Sequence, residues 1–181
     1  QPTTSSVETW LLDPLPAPSF GWPEGAEPAT TLLPRLGKPL VVHLLSRHCS
    51  VCAEELSRLV SNAGRLDELG AQVAFVSIAS DEDNARTPAF LSSVKSPAKV
   101  LRATDKALAA WNTVHRRLFS WRRDLVVPTS FLIDADGRIV KVYRGRTPAS
   151  SFVRDVQEIP TTETERVVKA LPFPGRVLKT S

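Results

Sequence analysis

Apolar residues fall along this chain in short runs and periodic sets, separated by polar breaks rich in Gly and Pro. The run Leu40-Val41-Val42-His43-Leu44-Leu45 is short and partly β-branched, which predicts a buried central strand. From Val51 to Gly70, Ala53, Leu56, Leu59, Val60, Ala63 and Leu66 recur at spacings of three and four. That period predicts a helix with one apolar face, ended by Gly70 just past its last turn. Val73-Ala74-Phe75-Val76-Ser77-Ile78 predicts a second buried strand. Strand, helix and strand in this order make a right-handed parallel crossover.

Downstream, the residues Asp81 to Asp83 can cap a helix running to about Val94, and Lys99 to Arg102 predicts a short edge strand. A helix over Lys106–Phe119 would carry Trp111 on its apolar side. Thr129–Ile133 and Arg138–Tyr143 are β-rich runs around Asp134-Ala135-Asp136-Gly137, which predicts an antiparallel hairpin. Helices are expected from Ala149 to about Glu158 and from Glu163 to about Leu171, the last with Thr162 and Glu165 spaced as a capping box. The order β-α-β-α followed by a β-hairpin and a helix defines an α/β fold, a mixed central sheet with helices on both faces.

The two ends read differently. Residues 1–38 are rich in Pro, Ser, Thr and Ala with few periodic apolar positions, and read as an extended lead-in with a turn around Pro23 to Gly25. Leu171-Pro172-Phe173-Pro174-Gly175 cannot continue a helix because prolines alternate through it. The expected organisation is a lead-in over 1–38, one domain over 39–159, and a C-terminal helix with a Pro-rich arm packed on that domain over 160–181.

Composition narrows the function classes. The chain has 181 residues, 42% hydrophobic and 23% charged, as an ordinary globular domain has. Lys and Arg exceed Asp and Glu by 23 to 19, a net +4 too modest to suggest nucleic acid. No run of about twenty apolar residues is present, so no membrane span is expected. Methionine is absent even at position 1, so the sequence reads as a mature or a trimmed chain, with any signal peptide outside it.

Only two cysteines occur, in His48-Cys49-Ser50-Val51-Cys52. A disulfide-stapled scaffold would carry more. The pair sits where a central strand hands over to a helix, and the first turn of a helix stabilises a thiolate through its unsatisfied N–H groups. Cys49 is therefore expected to have a thiol pKa below the free value of about 8.5, with a protonated His48 adding to the effect. Cys52, one turn further in, faces the core as the resolving thiol. The pair could instead fill space, or supply two ligands to a copper or zinc site with His43, His48 or His115, although no second Cys pair completes a set of four.

Three segments together resemble the TlpA/ResA-like, redoxin-type branch of the thioredoxin superfamily: Lys38-Pro39-Leu40-Val41-Val42-His43-Leu44, Cys49-Ser50-Val51-Cys52-Ala53-Glu54-Glu55, and Val127-Pro128-Thr129-Ser130-Phe131-Leu132-Ile133-Asp134 with Asp136-Gly137-Arg138. The resemblance implies a thioredoxin-like three-layer fold and thiol–disulfide oxidoreductase activity needing no cofactor or metal. It implies Cys49 as the attacking and Cys52 as the resolving cysteine, and Pro128 as a cis-proline facing them. His48, Val127 and Thr129 would then meet the substrate, the Val127 backbone pairing with its strand. Glu55 matches the acidic residue that some members bury beneath the pair, where it would move the Cys52 proton. Equally, Glu54 and Glu55 can both be read as solvated acids completing a helix turn. The family usually has Trp where this chain has His48, which leaves the direction of electron flow open.

The partners implied are protein thiols and disulfides, for a periplasmic or extracellular bacterial protein that is a monomer or part of a larger chain. A peroxiredoxin-type peroxidase would want Thr three residues before Cys49, where Ser46 stands. An alternative from another class is a redox-capable fold used as a copper-handling or interaction module of a larger protein. His115-Arg116-Arg117 and Arg122-Arg123, with Leu118, Phe119 and Trp121 between, read either as a docking surface for an acidic or aromatic-rich partner protein or as a solvated helix end.

Overall fold

The structure, a computed structural model, describes residues 6–18, 37–46, 48–78, 100–119 and 124–171. Its elements in chain order are β1 (Val7–Pro16), β2 (Leu40–Leu45), α1 (Ser50–Glu68), β3 (Gln72–Ser77), β4 (Val100–Arg102), α2 (Asp105–Phe119), β5 (Thr129–Ile133), β6 (Arg138–Arg144), α3 (Ala149–Gln157) and α4 (Glu163–Ala170). The expected helix over 81–94, the turn at Pro23–Gly25 and the arm at 172–175 lie outside the described residues.

The strands form one mixed sheet in the order β1-β6-β5-β2-β3-β4. β2 runs parallel to β3 and antiparallel to β5, so it lies at the centre, and all six of its residues are buried. A strand covered on both faces must be apolar throughout, which is why Leu40–Leu45 carries no alternation. Leu40, Val42 and Leu44 face a core shared with Trp111 of α2 and Phe131 of β5. Val41 and Leu45 face the other core, shared with Cys52, Leu56 and Leu59 of α1 and Phe152 of α3. The sheet is thus packed on both faces, in the three-layer α/β arrangement expected.

Local chemistry sets the element ends. Gly70 has φ +75 and ends α1: its N–H bonds to the Asp67 carbonyl at 2.8 Å and the Ala71 N–H to that of Leu66 at 2.9 Å. In the β5–β6 turn, Asp134 Oδ1 accepts from the N–H groups of Asp136 (3.0 Å) and Arg138 (2.8 Å), while Gly137 takes φ +78. The capping box of Thr162 and Glu165 starts α4.

The N-terminal lead-in departs from expectation. Part of it belongs to the sheet: Val7–Pro16 forms β1, paired antiparallel with β6 from Val7↔Arg144 to Pro16↔Arg138. The register is interrupted between Trp10 and Leu15. Two prolines and an Asp in ten residues hide a strand from pattern reading, yet an edge strand tolerates Pro where a central one does not. Trp10 anchors it, with Lys141 Nζ and Lys169 Nζ each 4.8 Å from its ring centroid.

Candidate active site

β2 delivers the chain to the start of α1, and Cys49 is the N-cap of that helix. Its side chain takes the role usually played by Ser or Asp: Sγ accepts from the Cys52 N–H at 3.2 Å. The first turn of α1 holds no acidic residue that would oppose negative charge there. Cys49 and Cys52 are joined in a disulfide with Cα atoms 5.3 Å apart. Cys52 is completely buried and Cys49 only partly, so the two sulfurs meet different surroundings.

Glu55 lies three residues past Cys52 on the same buried side of α1, and the helix period separates it from its neighbour: Glu55 is 3% exposed, whereas Glu54 is exposed and paired with Arg146 (2.6 Å) and Arg58 (3.6 Å). The reading of both acids as solvated is therefore wrong for Glu55. Its Oε1 accepts from the Thr147 N–H. Burial pushes its pKa up to about 7, against the pull of the Thr147 N–H and the Arg146 and Arg58 charges; Glu54 adds a smaller upward push.

His43 sits mid-strand in β2, fully buried on the α1 face of the sheet. Its Nδ1 is 2.8 Å from Ser130 Oγ of β5, and its Nε2 is 3.9 Å from Glu55 Oε2. Burial holds its pKa down to about 4, so the ring is neutral at neutral pH. A strand residue between inward-facing Val41 and Leu45 must share their face, and that alternation is the signal by which this polar neighbour of Glu55 can be found.

The loop entering β5 closes the site. The Val127–Pro128 peptide bond is cis, and Val127 packs against the same cluster as Cys49 and Cys52. The Pro128 carbonyl accepts from the Gly145 N–H at 3.0 Å. Thr129 is buried with its hydroxyl donating to the Val126 carbonyl at 2.7 Å, so its side chain braces the loop from within. His48 is exposed next to Cys49.

A model of the AhpC/TSA family matches residues 15–142. The chain belongs to the AhpC/TSA family. The stretch that the AhpC/TSA family covers contains His43, Cys49, Cys52, Glu55 and Pro128. No curated protein sequence matches the chain. Among solved structures, a thiol:disulfide interchange protein of the thioredoxin family from Chlorobium tepidum is 24% identical, covering 81% of this chain and 97% of its own with a TM-score of 0.63. A DsbF homologue from Corynebacterium diphtheriae is 14% identical over 87% and 95%, TM-score 0.62. The pneumococcal exposed lipoprotein thioredoxin from Streptococcus pneumoniae is 18% identical over 69% and 87%, TM-score 0.56. At these identities the likeness is one of fold, and the fold is thioredoxin-like. Family membership and a Cys-x-x-Cys disulfide at the head of α1 make the chemistry thiol–disulfide oxidoreduction.

The other sequence candidates part company. His115 is buried on α2, its ring 5.1 Å from that of Phe119, and α2 packs on the face of the sheet opposite His43. The segment 115–117 is thus not a uniformly solvated helix end, although Arg116 is exposed and ion-paired with Asp124. Trp121, Arg122 and Arg123 lie outside the described residues. Among the described residues no three His, Cys, Asp or Glu side chains gather as a metal site, and no helix is long and apolar enough to cross a membrane.

Proposed function

We propose that the chain exchanges disulfides with protein substrates, with Cys49 as the attacking and Cys52 as the resolving sulfur. The observation that carries this reading is the asymmetry of the pair: Cys49 caps α1 and reaches the surface, while Cys52 is sealed in the core. In the reduced protein, a Cys49 thiolate attacks a substrate disulfide, forming a mixed disulfide and expelling the substrate's other sulfur as thiolate. Cys52 then loses its proton to the Glu55 carboxylate and attacks Cys49 Sγ. The Cys49–Cys52 bond forms, and the remaining substrate sulfur departs with the electron pair. The same steps reversed oxidise a substrate dithiol.

On this reading Val127 and Pro128 form the wall against which the substrate strand lies, with His48 beside it. Thr129 contributes through the shape of that loop rather than by direct contact. The working unit is 39–159, with β1 and α4 covering its β6 edge, and the chain falls in the TlpA/ResA-like branch. Protein thiols outside the bacterial cytoplasm are the substrate class; the fold's likeness to an exposed lipoprotein thioredoxin supports that placement.

The test is trapping. Reduced Cys52→Ala incubated with insulin should accumulate a mixed disulfide at Cys49, visible as a shift on a non-reducing gel, whereas Cys49→Ala should accumulate none. A trap at position 52 instead, or none in either variant, overturns the assignment.

A further inference from the structure

Exchange as written uses Glu55 and leaves His43 unexplained. A fully buried histidine in an otherwise apolar six-residue strand carries a desolvation cost that packing alone does not require. Its ring is held on three sides: Ser130 Oγ from β5 at Nδ1, the Phe75 ring of β3 edge-on at 6.1 Å, and Glu55 of α1 before Nε2. Nε2 and Glu55 Oε2 both lack a hydrogen-bond partner among the described residues, and they face each other across 3.9 Å. The second carboxylate oxygen is already engaged by Thr147. Two buried polar atoms of complementary chemistry at this separation are arranged to meet when one of them becomes charged.

We propose that His43 is a positioning residue for disulfide exchange: its Nε2–H, aimed by the Ser130 hydroxyl at Nδ1, steadies the Glu55 carboxylate that takes the Cys52 proton. The inference rests on the role given to Glu55 above. The tautomer follows from the donor inventory. A neutral imidazole carries one N–H, and a serine hydroxyl can donate as well as accept. With Ser130 donating to Nδ1, the ring hydrogen lies on Nε2 and points at Oε2.

The groups around the pair leave this contact a distinct part to play. Glu55 is faced by Arg58 and Glu54 from its own helix and by Arg146 and Thr147 from the segment between β6 and α3. The two arginines act from the surface, where Glu54 pairs with both. Inside, His43 Nε2 approaches Oε2, which has no hydrogen-bond partner among the described residues. Burial keeps that imidazole neutral, so it offers a donor without adding a charge that would hold Glu55 permanently ionised. Such a carboxyl can both take and release a proton near neutral pH.

The experiment follows the resolving step in the full-length reduced protein. Dithiobis(nitrobenzoate) loads Cys49 with a coloured thiolate, and its release as Cys52 closes the disulfide is timed in a stopped-flow instrument from pH 5 to 9. In the unmodified protein the rate should rise through a break near pH 7. Glu55→Gln should abolish the break. His43→Phe should move it up by about one pH unit, slowing resolution about fivefold at pH 7 and much less at pH 9. His43→Gln, which keeps a donor, should recover part of the loss.

A break that persists in Glu55→Gln overturns the role of Glu55 and this inference with it. A break lost in Glu55→Gln but unmoved in His43→Phe overturns the inference alone. Should His43→Phe fail to fold, ¹⁵N spectra of the unmodified protein decide: at pH 8 the His43 hydrogen should lie on Nε2, and finding it on Nδ1 overturns the proposal.

Discussion

The Cys52 backbone N–H points at the sulfur of Cys49, 3.2 Å away, so the amide of the buried cysteine helps to cap the helix through the sulfur of the partly exposed one. When the disulfide is reduced, the same amide is placed to donate to a thiolate, with the first-turn N–H groups of α1 behind it.

Cys49 in the reduced protein is therefore expected to ionise well below a free thiol, within the range of about 3.5–7.5 seen at helix N-termini. Thiolate absorbance across a pH titration measures it. Iodoacetamide at pH 7 should alkylate Cys49 and leave buried Cys52 untouched, as mass spectrometry of the digest would show.

Glu55 should make the protein less stable as pH rises. Its folded-state pKa is about 7 against an ordinary 4.5, so between those values the folded chain keeps a proton that the unfolded chain has released. Stability falls through that window, by on the order of 3 kcal/mol once pH exceeds about 7. Glu55→Gln keeps an acceptor for the Thr147 N–H and has no proton to lose. Urea unfolding at pH 5 and pH 8 should show its stability relative to the unmodified protein growing with pH; parallel curves would contradict the burial assigned to Glu55.

His43 acts in the opposite sense. Its pKa is lowered from 6.5 to about 4, so stability present above pH 6.5 is lost as pH falls through 4, where the unfolded chain binds the proton more readily. His43→Phe should flatten that acid limb in the same unfolding experiment.

Asp155 should be the costliest single charge to remove. It is buried and accepts from Lys141 Nζ (2.5 Å), Tyr143 Oη (2.9 Å) and Arg154 Nε (3.0 Å), tying β6 to α3. Asp155→Ala leaves Lys141 buried with Glu8, at 2.9 Å, as its one anion among the described residues, and is expected to cost about 3–5 kcal/mol in urea unfolding. Lys141→Met should cost less, because Asp155 keeps two donors.

Trp10 should hold α4 as well as β1, since Lys141 of β6 and Lys169 of α4 both lie over its ring. Trp10→Ala is expected to destabilise by about 2 kcal/mol, and to speed amide hydrogen exchange in Glu163–Ala170 more than in α1. Equal effects on both helices would mean that Trp10 serves the sheet alone.

Some features were legible because they obey short-range rules. The β2–α1–β3 crossover follows from apolar period, and the hairpin from two β-rich runs around an Asp/Gly turn; both stand as expected, as does the capping box of α4. β1 was not legible, because its stability comes from pairing with a strand more than a hundred residues away and not from its own sequence. His115 stands in a basic run that read as a docking surface or a solvated helix end, and only the packing of α2 against the sheet turned it inward.

By itself the sequence determined that two cysteines spaced by two residues stand where an apolar strand becomes a helix, and helix geometry alone makes such a pair reactive and unequal. Which of the two neighbouring acids is buried was decided by tertiary structure. Glu54 and Glu55 are chemically alike, and the choice depends on how α1 rolls against the sheet, which sends one to the surface and the other under cover beside His43. A proton's affinity for a carboxyl is set by water excluded and dipoles brought near, and those are properties of packing between distant segments rather than of residues in a row.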